Sequence, residues 1–287
     1  MISINTNYGG IFAAKASSQA TLRVDQAMER LSTGKRINHA RDDSAGQAIA
    51  TRLAAEIEGL AMASRNVADG QSLVDTAESA LVETHALLLR MREISVQAAN
   101  GTLSTADNTA LNAEFQQLVA EIDRISDNTS WAGTKLLNGD STGAASTSAT
   151  FAFQAGVNNT TADTISVDIS NADAETLGVF VDNSGNNNIT LTDATNAGAA
   201  IVAVDAAIAA VSTERGKLGA VSNRMSSTMA NLDQITVNLT ASKGRIEDAD
   251  FAAETGNLAK GQILQQAATA MLAQANASKQ QVLTLIR

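Results

Sequence analysis

The 287-residue sequence is long enough to bury a core, and 44% of its residues are hydrophobic, which excludes a chain that is disordered throughout. Its net charge of -10 argues against nucleic acid as a main partner, because phosphate binding depends on clustered lysine and arginine. The sequence has no cysteine, which excludes disulfides and thiolate metal sites, and no proline, which permits very long helices.

The first predicted element is a helix with a seam of mostly small residues. Its seam positions alternate at spacings of three and four, the pattern of a coiled coil. They are Ala14, Ser17, Thr21, Val24, Met28 and Leu31. Because small residues bury little apolar area, we expect this helix to be marginal in a single chain and ordered against partners.

A long helix and a shorter antiparallel helix are predicted next. After a charged loop, helical periodicity resumes at about Ala45 and continues to about Asn100. Ser104 and Asp107 have the spacing of a capping pair for the following helix. The heptad positions of that helix are Leu111, Phe115, Leu118, Ile122 and Ile125. The short link between the two helices predicts antiparallel packing.

The centre of the chain changes to glycine, serine, threonine, asparagine and aspartate. No lysine or arginine occurs between Lys135 and Arg215, so we expect this anionic segment to face solvent. The runs TFAFQAG near Phe151, TISVDI near Ile165 and NITLT near Ile189 alternate in the manner of strands. They predict two or three strands or hairpins joined by loops.

Helical periodicity returns from about Ala199, and a final amphipathic helix ends the sequence. The apolar positions of this last helix include Leu264, Ala268, Met271, Ala275, Ser278, Val282 and Leu285. Helices therefore flank the irregular centre on both sides. The predicted fold is mainly α, a long antiparallel helical bundle or coiled coil formed by the N- and C-terminal halves, with a small central β-hairpin-rich segment.

No pattern of residues indicates catalysis or a cofactor. The only histidines, His39 and His85, are far apart in sequence, which disfavours a zinc site. The run that begins at Asp182 has its glycine at the fourth position instead of the sixth position of a calcium loop. Phosphate-binding glycine motifs are absent, and no run reaches the roughly 18 apolar residues of a membrane span. We therefore expect that the protein is not an enzyme, that it binds no cofactor or metal, and that it has no membrane partner.

Two long segments near opposite ends of the chain resemble hallmark sequences of bacterial flagellins. They are LSTGKRINHARDDSAGQAIATRL, from Leu31 to Leu53, and RIEDADFAAETGNLAKGQILQQAATAMLAQANASKQQVLTLIR, from Arg245 to Arg287. Four shorter segments also resemble sequences of this family. They are SINTN at residues 3–7, ASRNVADG from Ala63, RMREISVQAANGT from Arg90, and FAFQAG. Together these segments extend the resemblance over most of the chain.

The resemblance implies a structural subunit that polymerises into the bacterial flagellar filament, the helical propeller of swimming. It also implies a division into domains. Residues 1–44 and 243–287 would form the inner D0 layer, residues 45–134 and 198–242 the D1 helices, and residues 135–197 a small β-rich segment attached to D1. A hook-filament junction protein, which shares the end helices, is the alternative.

The resemblance further implies how the protein is exported and what it meets. It would leave the cell through the flagellar type III apparatus without a cleaved signal peptide and reside in the extracellular flagellum. Its partners would be further copies of itself, an export chaperone, and hook-associated and cap proteins. Arg90, Ile94 and Glu114 match a surface that Toll-like receptor 5 (TLR5) reads in some flagellins, although Leu89 departs from that motif. The alternative for Arg90 and Glu114 is an exposed salt-bridging face.

Assembly is expected to order the terminal helices, because a helix with an alanine-rich seam is marginal alone and many stacked copies bury both of its faces. A heterologous contact that does not close then generates a helical filament. The predicted self-assembly seam of D0 consists of Val24, Met28, Leu31, Leu264, Ala268, Met271, Ala275, Val282 and Leu285.

Overall fold

The structure is a computed structural model that describes residues 6–139, 148–180 and 189–285. Its helices are α1 (Tyr8–Thr33), α2 (Ser44–Ala98), α3 (Thr105–Asn128), α4 (Ala194–Glu247) and α5 (Phe251–Leu285). Its strands are β1 (Ser130–Trp131), β2 (Thr134–Lys135), β3 (Ser148–Gln154) and β4 (Thr164–Ser170). The mainly α fold is therefore confirmed, and the run at Asp182 lies outside the described residues.

The chain divides into two compact units. The terminal unit consists of residues 1–57 and 237–287, and the central unit consists of residues 58–236. The sequence instead suggested divisions after residues 44 and 242, both of which lie within or beside helices of the terminal unit. The assignment of D0 and D1 stays a prediction.

In the terminal unit, the segments that follow α1 and precede α5 pair with each other. Gly34 has a φ of 70°, a left-handed conformation that ends α1 without strain because glycine has no Cβ. The backbone N–H of Ala249 donates to the carbonyl of Gly34 at 3.0 Å. Lys35 and Asp248 form an antiparallel β-bridge, which holds the two connections side by side.

In the central unit, α2 and α4 pack antiparallel. A Cβ added at Gly70 would lie 2.9 Å from Met225 Cε, and further along α2 the Nε of Arg92 lies 2.6 Å from Asp205 Oδ1. Contacts on α4 therefore move towards its start as contacts on α2 move towards its end. The core includes the fully buried side chains of Leu81, Leu88, Met91, Phe115, Ile122, Val204 and Leu218.

The predicted cap and heptads of α3 are largely confirmed. Ser104 Oγ accepts from the backbone N–H of Asp107, and the Asp107 carboxylate accepts from the backbone N–H of Ser104, so the capping box is complete. Phe115 and Ile122 are buried, as the heptads predict. The most buried stripe also includes Asn108, Val119 and Ser126, while the other predicted heptad positions are half-buried.

Two of the three predicted β runs form a hairpin. β3 pairs antiparallel with β4, and on β4 the side chains of Ile165, Val167 and Ile169 are buried in alternation. The third prediction, near Ile189, is wrong for the described residues 189–193, which form no strand. The N–H of Leu191 instead donates to Asn112 Oδ1 of α3 at 3.0 Å, and the buried Leu191 side chain joins the core.

The short β1–β2 hairpin is not predicted by the sequence pattern. Its two central residues, Ala132 and Gly133, have φ angles of 48° and 85°. Positive φ at both positions is the conformation of a type I′ turn, which usually carries asparagine and glycine. Because Ala132 stands where asparagine is usual, the sequence does not indicate this turn.

Among the described helices, α4 alone is long and apolar enough by composition to cross a membrane. Its apolar residues are interrupted by polar ones, so no unbroken apolar run predicts a span in the sequence. α4 also contributes Ala197, Ala200, Val204, Ala207 and Val211 to the buried core of the central unit.

Candidate functional site: the terminal helix pair

α1 and α5 contact each other along an unbroken heptad stripe on each helix, with spacings that alternate between three and four. On α1 the buried or half-buried stripe is Gly10, Ala13, Ser17, Ala20, Val24, Ala27 and Leu31. On α5 it is Glu254, Leu258, Gly261, Gln265, Ala268, Leu272 and Ala275. Most of these residues are small, so the two helices approach closely and bury little apolar area.

The two helices run antiparallel. Arg30 Nη1 lies 2.9 Å from Glu254 Oε1, and Gln265 Nε2 donates to Thr21 Oγ1 at 3.1 Å. The approach is close at Gly261, where an added Cβ would lie 2.8 Å from Val24 Cγ2. This glycine leaves the space that the Val24 side chain occupies.

Four of the nine predicted seam residues lie on the stripe between α1 and α5, and three lie one residue away from it. Val24, Leu31, Ala268 and Ala275 lie on the stripe. Met28, Leu264 and Met271 are exposed by 55%, 39% and 63%, while their neighbours Ala27, Gln265 and Leu272 take the stripe positions. Ala27 takes the place of the larger Met28 where the helices approach closely, whereas at the other two positions the stripe holds a residue of similar size and the apolar neighbour stays exposed.

The remaining two seam residues, Val282 and Leu285, have side chains outside the described part of the structure. Whether any seam residue contacts another copy of the chain stays a prediction.

An apolar groove of about 430 Å³ runs beside the stripe, between α1 and α5. Its walls include Phe12 and Ala16 of α1 and Leu264, Ala267 and Met271 of α5. Phe12 is 76% exposed, and Tyr8, Ile11, Phe251 and Ile263 are also exposed large apolar residues of these two helices. Exposed apolar surface on this scale marks an interaction site.

Sequence analysis did not single out Phe12, because it lies off the heptad positions. The signal that identifies it is its size: it is an aromatic side chain in a helix whose other seam residues are mostly small.

The polar groups of the terminal pair have structural partners. The buried carboxylate of Glu254 accepts from Arg30 and from Asn257 Nδ2 at 3.3 Å. A carboxylate that is both buried and ion-paired holds the two helices in register. In the described residues, no group of three or more histidine, aspartate or glutamate side chains is placed to hold a metal ion.

The three residues that match the receptor surface lie in the central unit. Two of them, Arg90 and Glu114, are exposed, and Ile94 is buried. Arg90 Nη2 lies 2.8 Å from Glu114 Oε1, and Arg90 Nη1 lies 2.9 Å from Glu93 Oε2. The hydrogen bonds that Arg90 donates to Glu114, and to a smaller extent to Glu93, raise the pKa of Arg90. Ile94 is only 1% exposed, so this residue belongs to the core and offers no surface to a receptor.

Comparisons with known proteins agree on one family. Residues 4–142 match the family model of the bacterial flagellin N-terminal helical region, and residues 201–286 match that of the C-terminal helical region. The flagellin of Halalkalibacterium halodurans is 45% identical over 262 residues, which cover 91% of each chain. The flagellin of Bacillus subtilis is 42% identical over 99% of each chain.

Among solved structures, a flagellar hook-associated protein from Vibrio parahaemolyticus is similar with a TM-score of 0.58. The match covers 72% of this chain and 100% of that one, at 17% identity, and so shows a shared fold alone. None of these findings favours the hook-associated alternative. With helical regions of both ends matched and flagellins similar over nearly its whole length, the chain belongs to the bacterial flagellin family and is a structural subunit of the flagellar filament.

Proposed function

We propose that this subunit polymerises through the apolar groove of the terminal helix pair, which receives apolar side chains of a neighbouring copy. The observation that carries the proposal is the exposure of Phe12, Leu264 and Met271 along one groove. Burying a side chain of this size contributes about 1.5–3 kcal/mol. A contact that covers several of them offsets the entropy lost when subunits associate.

The same contact explains why the terminal helices gain order on assembly. Their mutual stripe consists mainly of alanine, glycine and serine, so the pair alone buries little apolar area. A neighbour that binds only the ordered pair stabilises it by mass action. A contact that joins two different faces and does not close on itself extends into a helical filament.

Replacing either Leu264 or Met271 with aspartate tests this proposal. An unpaired charge in an apolar contact costs several kcal/mol, so we expect both variants to remain monomeric where the wild type forms filaments. Gln266→Asp is the matched control, because it adds the same charge at an exposed position of α5 outside the groove. Filament length and polymer yield are measured by electron microscopy and sedimentation. Normal filaments from both groove variants would refute the proposal.

For cellular location, we propose export through the flagellar type III apparatus into the extracellular filament, without cleavage of a signal peptide. An export chaperone on the C-terminal segment, a cap protein and hook-associated proteins are the proposed partners, and membership of the flagellin family supports them. The intact mass of subunits from washed filaments tests whether the signal peptide is left uncleaved. A mass that lacks the residues before α1 would contradict it.

We also propose TLR5 as a host partner, with Arg90 and Glu114 as its exposed contacts and Ile94 as a core residue that holds them in place. The support is the exposed ion pair at positions that resemble the receptor motif. A receptor reporter assay on monomeric protein tests the proposal, with Arg90→Ala expected to lower the response. Arg124→Ala is the matched control, because Arg124 forms a similar exposed ion pair with Glu121. No response at high wild-type concentration would refute it.

A further inference from the structure

Two surfaces of opposite charge lie at the same level of α1. The first, the basic groove, has a volume of about 240 Å³ and is lined by Arg23, Arg30 and Lys260 together with the single carboxylate of Glu254. The second, the acidic surface, borders an open cavity of about 500 Å³. It is lined by Asp25, Glu29 and Asp42, together with Arg41 and Leu22.

The two surfaces adjoin at Gln26, which lines both, but their free charges point to different sides of α1. Successive residues of an α-helix are rotated by about 100°, so Arg23 and Asp25 lie roughly 160° apart around α1. The stripe that contacts α5, which includes Val24 and Ala27, lies between them on the side covered by α5. A single chain therefore presents the basic groove and the acidic surface next to each other, with Arg23 and Asp25 on different sides of α1.

Each surface retains at least one charged side chain that has no ion-pair partner in the part of the chain that the structure describes. Arg30 is paired with Glu254, and Glu29 lies 2.9 Å from His39 Nε2. Arg23, Lys260 and Asp25 form no ion pair within the residues that the structure describes. These three exposed side chains are available to a neighbouring copy.

Apolar side chains accompany the charges on both surfaces. Leu264 lines the basic groove and also the apolar groove, so the two grooves are continuous. On the other side of α1, Leu22 lines the acidic surface. Ile11 is within about 20° of Leu22 around the helix axis. Both of these residues are exposed.

We propose that the basic groove of one copy receives the acidic surface of the next copy in the filament, with Asp25 of the second copy paired with Arg23 or Lys260 of the first. The inference deepens the proposed function and rests on it. Apolar contacts supply the area, and the charges select the orientation and register of the neighbouring subunit, because like charges in a misplaced contact repel. Since the two surfaces differ, the contact is heterologous and repeats without closing.

Charge reversal tests this pairing with full-length protein. Arg23→Glu and Asp25→Arg, each alone, are expected to raise the critical concentration for polymerisation by about 10-fold or more, because each juxtaposes like charges. The double variant R23E/D25R, and an equimolar mixture of the two single variants, are expected to recover polymerisation to within about three-fold of the wild type. Lys15→Glu is the control, since Lys15 is an exposed lysine of α1 that lines neither surface.

The outcomes separate this inference from the proposed function. Single reversals that polymerise like the wild type, a double variant as impaired as the singles, or an equal defect in Lys15→Glu would each overturn the charge pairing. If Leu264→Asp and Met271→Asp still block assembly in that case, only the charge pairing fails. If those variants also polymerise normally, assembly through the terminal pair fails with it.

Discussion

Gly261 sets how closely α1 and α5 approach each other. An added Cβ at this position would lie 2.8 Å from Val24 Cγ2 and 3.5 Å from the Val24 backbone nitrogen. Valine is restricted in χ1, so its methyl group does not move aside freely. By contrast, a Cβ added at Gly256 of the same helix would meet nothing within 4 Å.

Alanine at these two positions is expected to have opposite effects. Gly256→Ala gains helix propensity worth about 1 kcal/mol and should stabilise α5. Gly261→Ala makes the same gain but overpacks the stripe, which costs about 1–3 kcal/mol, and should weaken the helix pair. The temperature at which filaments of each variant depolymerise, followed by circular dichroism, measures the difference. Equal stabilisation by both substitutions would contradict the close approach.

Asp123 is a carboxylate whose ionisation opposes folding. Its Oδ1 accepts from the backbone N–H of Ala174 at 2.8 Å, but burial, followed by the nearby charges of Asp173 and Asp127, raises its pKa. A raised folded-state pKa gives stability that is present at low pH and lost as the pH rises through that pKa. At neutral pH the ionised group therefore lowers the stability of the central unit.

Asp123→Asn is consequently expected to raise the melting temperature of the monomer at pH 7 by about 1–2 °C. An asparagine oxygen still accepts from Ala174, while the charge is removed. The gain should shrink below about pH 4, where aspartate side chains are protonated. Asp75→Asn, which removes an exposed charge of α2 that does not raise the pKa of Asp123, is the control and should have a smaller effect. A gain that is equal at both pH values would count against this explanation.

Among the secondary-structure elements, α3 depends most visibly on a local signal. Its first turn is closed by the reciprocal hydrogen bonds of Ser104 and Asp107. The Ser104 hydroxyl, with its backbone N–H, lowers the pKa of Asp107. The contribution of this carboxylate is thus present above its ordinary titration range and is lost as the pH falls through the lowered value.

Ser104→Ala removes the cap and is expected to lower the free energy of unfolding by about 1 kcal/mol. Urea denaturation of the monomer at neutral pH measures the loss. Ser72→Ala is a suitable control, because the Ser72 hydroxyl bonds only to the carbonyl of Ala68 within α2. A loss of equal size in both variants would mean that capping is not its cause.

At the scale of the whole molecule, the two units differ in how they are held together. The central unit encloses a core of large side chains such as Phe115, Leu88 and Leu218, whereas α1 and α5 meet through small residues. Large buried side chains stabilise a single chain, and small ones leave stability to depend on neighbours. We therefore expect the central unit to be stable in a single chain and the terminal unit to depend on neighbouring copies.

Hydrogen exchange distinguishes the two units. In dilute monomer, amides of α1 and α5 are expected to exchange at least about 100-fold faster than those of the central core helices. In filaments they should become protected to a similar degree as the core. Mass spectrometry after proteolysis reports both states for each peptide. Full protection of α1 and α5 in the monomer would show that their order does not require assembly.

The sequence alone determined the helical architecture, the α3 cap and the family of this chain. These features are local: periodicity, a capping pair and long end motifs require no knowledge of distant residues. The tertiary structure decided which residues of distant segments contact each other. Met28 and its neighbour Ala27 both suit an apolar seam by sequence, and only the close approach of α5 selects the smaller residue. The burial of Ile94 and the docking of Leu191 on Asn112 depend in the same way on contacts between distant segments, which no local pattern encodes.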